Sequence, residues 1–78
     1  MTQDQWEMLA KKMLVGRTIK SVAFMSHKDA EQCGWDKRPL IIELDNGLCL
    51  YPSADDEGNE GGALFHNNED HPIFPVLR

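Results

Sequence analysis

Residues 40–51 read LIIELDNGLCLY, and the phase of their apolar residues decides the fold. Leu40, Ile42 and Leu44 alternate with Ile41 and Glu43, so 40–44 is a strand whose side chains point to opposite faces at every step. The Asp45-Asn46-Gly47 segment that follows is a hairpin turn. A two-residue Asn-Gly loop would pair Leu44 with Cys49 and set Leu48 and Leu50 on the face of Glu43. A three-residue loop with Gly47 in the left-handed region pairs Leu44 with Leu48 and Ile42 with Leu50. Only the second register gathers the apolar residues, so it predicts a glycine bulge at Gly47 and a strand over 48–51 that stops at Pro52.

Outward from this hairpin the chain supplies an N-terminal helix and a first strand. Thr2 and Gln5 have capping-box spacing, and Trp6, Leu9, Ala10, Met13 and Leu14 recur at helical intervals, which predicts a helix over 3–15. Asp4 and Glu7 near its start, Lys11 and Lys12 near its end and the stop at Gly16 agree with that assignment. Residues 18–26 are rich in β-branched and aromatic side chains and form a strand. Its three-residue step from Ile19 to Val22 implies either a bulge near Lys20 and Ser21 or a regular strand that begins after Ile19. The connection 26–39 is too long for a hairpin, and Ser26 or His27 can cap a short helix through Cys33 that Gly34 ends. Beyond Pro52 lies a glycine-rich acidic loop, then Ala63-Leu64-Phe65 as a short edge strand. The polar stretch 66–70 leads to an apolar tail whose prolines confine it to an edge or an extended crossing. The expected fold is one α+β domain over 1–78, a helix followed by a small antiparallel sheet of three to five strands, a meander or partly open barrel.

Composition narrows the function. Seventy-eight residues hold one modest core. Thirteen acidic against eight basic residues give a net charge of −5, which opposes binding to a phosphate backbone, so no nucleic-acid partner is expected. The N-terminus lacks the pattern of a secretory leader, and no apolar run has the length of a membrane span. With two cysteines in dissimilar settings, Cys33 and Cys49, these features point to a reduced cytoplasmic protein without a membrane partner.

In an up, down, up meander the 27–38 and 53–62 connections emerge at one end of the sheet. That end brings Trp35, Lys37 and Arg38 near Asp55, Asp56, Glu57 and Asn59, and function is sought there. The structural alternative is that Arg38 and Lys37 pair with Asp55 or Asp56 to tie two loops together, with Trp35 as a packing anchor. Metal chemistry has little pattern behind it. An EF-hand register from Asp55 would need glycine at 60 and glutamate at 66, where the chain has Glu60 and His66. His27, His66, His71, Cys33 and Cys49 lack zinc-ligand spacing, and Cys33 has neither a second thiol nor an evident base. No cofactor, metal or catalytic set is assigned.

The order LVGRTIKSV over 14–22, then GWDKRPLIIELDNGLCLYPSADDEGNEGGALF over 34–65, resembles that of short uncharacterised bacterial proteins. The resemblance spans about two-thirds of the chain. It implies a bacterial origin and a shared role for 34–39 and 55–62, and no activity, cofactor or partner.

Three functions follow as expectations. The first is a non-enzymatic binding or regulatory domain, acting through the loop end or by self-association along a strand edge. The second is a small-ligand or divalent-cation module, possibly enzymatic, with Arg38 gripping an anion and Asp55, Asp56, Glu57 and Asn59 holding a cation or polar substrate. The third is a subunit of an assembly that docks its apolar tail on a neighbour.

Overall fold

A computed structural model describes residues 2–66, 69–70 and 72–78; His71 lies outside them. The element order is α1 (Gln3–Leu14), β1 (Ile19–Phe24), α2 (His27–Cys33), β2 (Leu40–Leu44), β3 (Cys49–Leu50), β4 (Leu64–Phe65) and β5 (Ile73–Phe74). The architecture is α+β, with a three-stranded antiparallel sheet in the order β1-β2-β3 and a separate antiparallel pair, β4-β5.

Local chemistry explains the helix ends. The Thr2 hydroxyl accepts from the Gln5 amide at 3.1 Å while the Gln5 side chain accepts from the Thr2 amide at 2.8 Å, so a reciprocal capping box starts α1. Ser26 accepts from the Asp29 amide at 3.0 Å and starts α2, which ends where Gly34 turns left-handed and donates back to Ala30 and Glu31.

The hairpin adopts the three-residue loop. Ile42 pairs with Leu50 and Glu43 with Cys49, the Leu44 amide donates to Leu48 O at 2.8 Å, and Gly47 has φ +86°. Asn46 Oδ1 accepts from the Leu48 amide at 3.1 Å, and the Asp45 amide donates to Thr18 O at 2.8 Å, which fastens the turn to the approach of β1. Between β1 and β2 the register slips at Lys20, between the Ile19–Leu44 and Ser21–Glu43 pairs. The uneven spacing of Ile19 and Val22 is therefore a bulge, which returns both residues to the face of Leu44 and Ile42.

The sheet is thus apolar along the whole of one face and mixed on the other, where Ile41 and Ala23 share the surface with Ser21, Glu43 and Cys49. On the mixed face, Ile41 packs against a small buried cluster of Met25, Ala30 and Trp35 supplied by α2 and its flanks. On the apolar face lie Leu40, Ile42 and Leu44, Phe24, Val22 and Ile19 across from them on β1, and Leu50 on β3. Leu40 and Leu44 are buried there, but Val22 is 52% exposed.

The C-terminal part departs from expectation. The 64–65 strand joins the tail instead of the main sheet: Leu64 pairs with Phe74 and Phe65 with Ile73. Beyond Pro75 the tail forms a two-way bridge with Arg38, whose amide donates to Leu77 O and whose carbonyl accepts from the Leu77 amide at 2.8 Å. The tail thus docks on its own chain. Prolines flank the paired residues without interrupting them, which is how an edge strand tolerates a missing N–H. The strand expected over 48–51 is confined to Cys49–Leu50.

Because Gly47 needs a left-handed backbone with open space around it, Gly47→Ala costs conformational energy without a clash, about 1–2 kcal/mol. Urea unfolding should show a lower midpoint for Gly47→Ala; an unchanged midpoint would mean that the turn does not hold the hairpin register.

Candidate functional site

The two long connections do meet at one end of the sheet, through contacts that composition does not reveal. Trp35, 7% exposed, donates from Nε1 to Gly58 O at 2.7 Å. Its ring lies 5.9 Å from that of Tyr51, tilted by 60°. A tryptophan so buried is an anchor whose truncation costs about 3–5 kcal/mol, and its indole N–H fixes which backbone carbonyl it meets.

Glu60 completes the tie. Its carboxylate accepts from the amides of Asp36 at 3.3 Å, Lys37 at 3.4 Å and Gly61 at 3.0 Å. The Gly61 amide, then those of Asp36 and Lys37 together with the Lys37 charge, hold the Glu60 carboxyl below its usual value of 4.5. At the neck of the loop Ser53 bridges Gly61, and the Ala54 amide donates to Glu60 O at 2.7 Å. Gly61 itself is pressed against the other connection: a Cβ there would stand 2.9 Å from Pro39 Cδ and 3.1 Å from Trp35 Cε3.

Asp55 organises the loop from within. Oδ1 accepts from the Glu57 amide at 3.0 Å and the Asn59 amide at 3.2 Å, and Oδ2 from Asn59 Nδ2 at 2.9 Å. Glu57 also accepts from Asn59 Nδ2, at 3.3 Å. The Asn59 side chain and amide, followed by the Glu57 and Gly58 amides, depress the Asp55 carboxyl below 3.8.

Arg38 sits apart from these carboxylates. Neither it nor Lys37 makes an ion pair with Asp55 or Asp56, and the pairs among the described residues are Lys11–Glu7 and Lys20–Glu43. The guanidinium instead turns back toward the sheet, with Nη1 3.5 Å from Met25 O and Nε buried without a hydrogen-bond partner among the described residues. The reason is topological: the main chain of Arg38 is paired with Leu77, while the loop tie falls to the amides before it and to Glu60. Of the six residues singled out from sequence, Trp35 thus touches the acidic loop through Gly58, Asp55, Glu57 and Asn59 bond to one another, and Arg38 and Asp56 join neither set. Among the described residues no three His, Cys, Asp or Glu side chains are grouped to hold a metal ion. The end of the sheet is built as a clasp between two loops.

A different surface stands open. α1 has an apolar stripe at helical spacing and no buried residue. Trp6 is 59% exposed, and Leu9, Met13 and Leu14 on the same stripe are also exposed, as is Val15 after it. Between the stripe and the sheet runs a groove of about 240 Å³ lined by Trp6, Leu9, Met13, Leu14, Leu48 and Leu50. A second apolar hollow of about 200 Å³ lies under Leu64, between Ile42, Leu50 and Pro52. Sequence reading found these residues but not their exposure, because an apolar stripe has the same spacing whether or not something covers it.

The chain matches no protein-family model, no curated protein and no solved structure. No helix among the described residues is long and apolar enough to cross a membrane.

Two predictions test the clasp. Gly61→Ala forces Pro39 and Trp35 apart and should destabilise the fold by about 1–3 kcal/mol in urea unfolding; a neutral effect would show that the loops are not in close contact. Asp55 and Glu60 both have folded pKa values below their unfolded ones, so their contribution is present above the unfolded values and is lost as pH falls through the folded ones. The Asp55→Ala, Glu60→Gln double variant should therefore melt below the native chain at pH 7, with the gap narrowing as the pH is lowered below the usual carboxylate values of 4.5 and 3.8; a gap that stays constant would remove the two carboxylates from the account.

Proposed function

We propose that this chain is a small non-enzymatic binding or regulatory domain whose working surface is the apolar face built on α1, with the loop end over 27–38 and 53–62 serving to hold the scaffold. One observation carries the reading: α1 is a capped, amphipathic helix whose apolar stripe keeps water contact, with Trp6 59% and Leu9, Met13 and Leu14 38–40% exposed. Single exposed apolar side chains are ordinary, but a contiguous stripe of Trp6, Leu9, Met13 and Leu14 beside an apolar groove is the usual mark of a surface that meets a partner. A bacterial, cytoplasmic setting belongs to the same reading. It is supported by the resemblance in residue order and by Cys33 and Cys49, free thiols that are both exposed.

The ligand-binding alternative retains one supporting feature, the buried Nε of Arg38 that lacks a partner. Against it, the carboxylate and amide meant to share a ligand with Arg38 are engaged elsewhere: Asp55 accepts from Asn59 and Glu57, and Asn59 donates to both. An anion at Arg38 would have to bind without them.

If the α1 face exists for a partner, replacing its residues leaves the isolated fold intact. The Leu9→Gln, Met13→Gln double variant, unfolded in urea at about 1 μM protein, should lose less than about 2 kcal/mol, because the two side chains are 38% and 39% exposed and not core positions. A loss of about 2–5 kcal/mol, the range for emptied core positions, would show that the stripe is part of the chain's own core and that the face is not an interaction surface.

A further inference from the structure

We infer that Asn46-Gly47, in the turn between β2 and β3, is a site of spontaneous deamidation that the turn's own hydrogen bonds hold in check.

The sequence supplies the reactants. Of the asparagines at 46, 59, 67 and 68, only Asn46 is followed by glycine. In deamidation the amide nitrogen of the following residue gives up its proton and attacks the carboxamide carbon. Here a bond forms between Gly47 N and Asn46 Cγ, the Cγ–Nδ2 bond breaks, and the nitrogen leaves as ammonia. Water then opens the cyclic imide. Opening at the former side-chain carbonyl gives aspartate; opening at the main-chain carbonyl gives isoaspartate, whose main chain runs through the former side chain. The sum is amide plus water to acid plus ammonia, so water is the sole co-reactant. Glycine permits the attack because no Cβ crowds its nitrogen. Asn46 and Gly47 are both exposed, and the space beside Gly47 is open, so water reaches the site.

The fold restrains these reactants. The Gly47 amide donates to Leu44 O at 3.0 Å, so the proton that must leave is held in the bond that closes the loop. Asn46 Oδ1 accepts from the Leu48 amide at 3.1 Å, which fixes the carboxamide within the turn. Two further bonds brace the same residues, from the Leu44 amide to Leu48 O and from the Asp45 amide to Thr18 O, each 2.8 Å. Ring closure therefore draws on the molecules whose turn is open, and the native rate is the open-chain rate multiplied by that open fraction.

The two products differ in consequence. Aspartate keeps an oxygen in the place of Oδ1 and still accepts from the Leu48 amide. Isoaspartate lengthens the main chain of the loop by one atom, which spoils the register that Gly47 sets. Leu48 and Leu50, which that register positions, form one wall of the groove beside α1, so this product disturbs the groove as well as the hairpin.

Mass spectrometry of the peptide spanning 45–50, with an isoaspartate-specific methyltransferase to separate the two products, tests this in mildly alkaline buffer with and without unfolding urea. Asn46 should deamidate at least about tenfold more slowly in the native chain than in the unfolded one. Once unfolded, it should react faster than Asn59, which precedes Glu60. Gly47→Ala should slow the reaction in urea, where its effect on folding plays no part. Asn46→Asp should keep a urea midpoint close to the native one, and chains enriched in isoaspartate should fall below it. Equal rates in the folded and unfolded chains would overturn the restraint by the turn. An Asn46 that stays intact in urea, or reacts there no faster than Asn59, would overturn the site itself.

Discussion

A small sheet with one wholly apolar face must cover that face, and here the cover is uneven: Leu40 and Leu44 are buried, while Ile19 and Val22 across from them stay more than half exposed. α2 and Trp35 close the face of Ile41, where Met25 and Ala30 complete a small cluster. On the face of Ile42 and Leu50, α1 borders an apolar groove and Leu64 lines a second hollow, beside the buried Leu40 and Leu44. The loop clasp secures the face of Ile41 through Trp35. Because hydrophobic burial is the main favourable term in folding, an apolar surface of this extent is a standing free-energy gradient toward whatever can cover it.

The clasp shows how hydrogen bonds and packing alone can tie two long loops in a small domain. Trp35 supplies buried area and one directed hydrogen bond, Glu60 gathers three backbone amides from both sides of the junction, and Gly61 lets the backbones approach. A carboxylate that collects backbone N–H groups satisfies donors that would otherwise need water, and this joins segments more surely than a surface ion pair. The acidic composition of the 53–62 loop is thus accounted for in part by internal hydrogen bonding, with Asp55 as its organiser.

How far the sequence reached follows from the range of each interaction. The capping box at Thr2, the ends of α2 at Ser26 and Gly34, the limits of β2 and the hairpin register were legible, because each depends on residues within a few positions or on a strict two-residue alternation. The bulge was legible as one of two choices, which only the pairing with β2 decides. The β4-β5 pair was not, since two-residue strands carry no periodicity and their pairing depends on a contact nearly ten residues apart. Nor were the partners of Arg38 and Glu60. Opposite charges in two loops fix a net attraction but no geometry, and here backbone amides outcompeted the guanidinium for the carboxylate. Nothing in the spacing of Glu60 marked it out from Asp55, Asp56 and Glu57 beside it.

The two tryptophans provide the most direct measurement of the central claim that the α1 face is open to solvent in the single chain, since Trp6 is 59% and Trp35 7% exposed. With 5-fluorotryptophan in both positions, assigned by a Trp6→Phe variant, a soluble paramagnetic probe should broaden the fluorine resonance of Trp6 strongly and that of Trp35 little at low protein concentration. A Trp6 resonance as shielded as that of Trp35 in dilute protein would contradict the account, because the stripe would already be buried within one molecule.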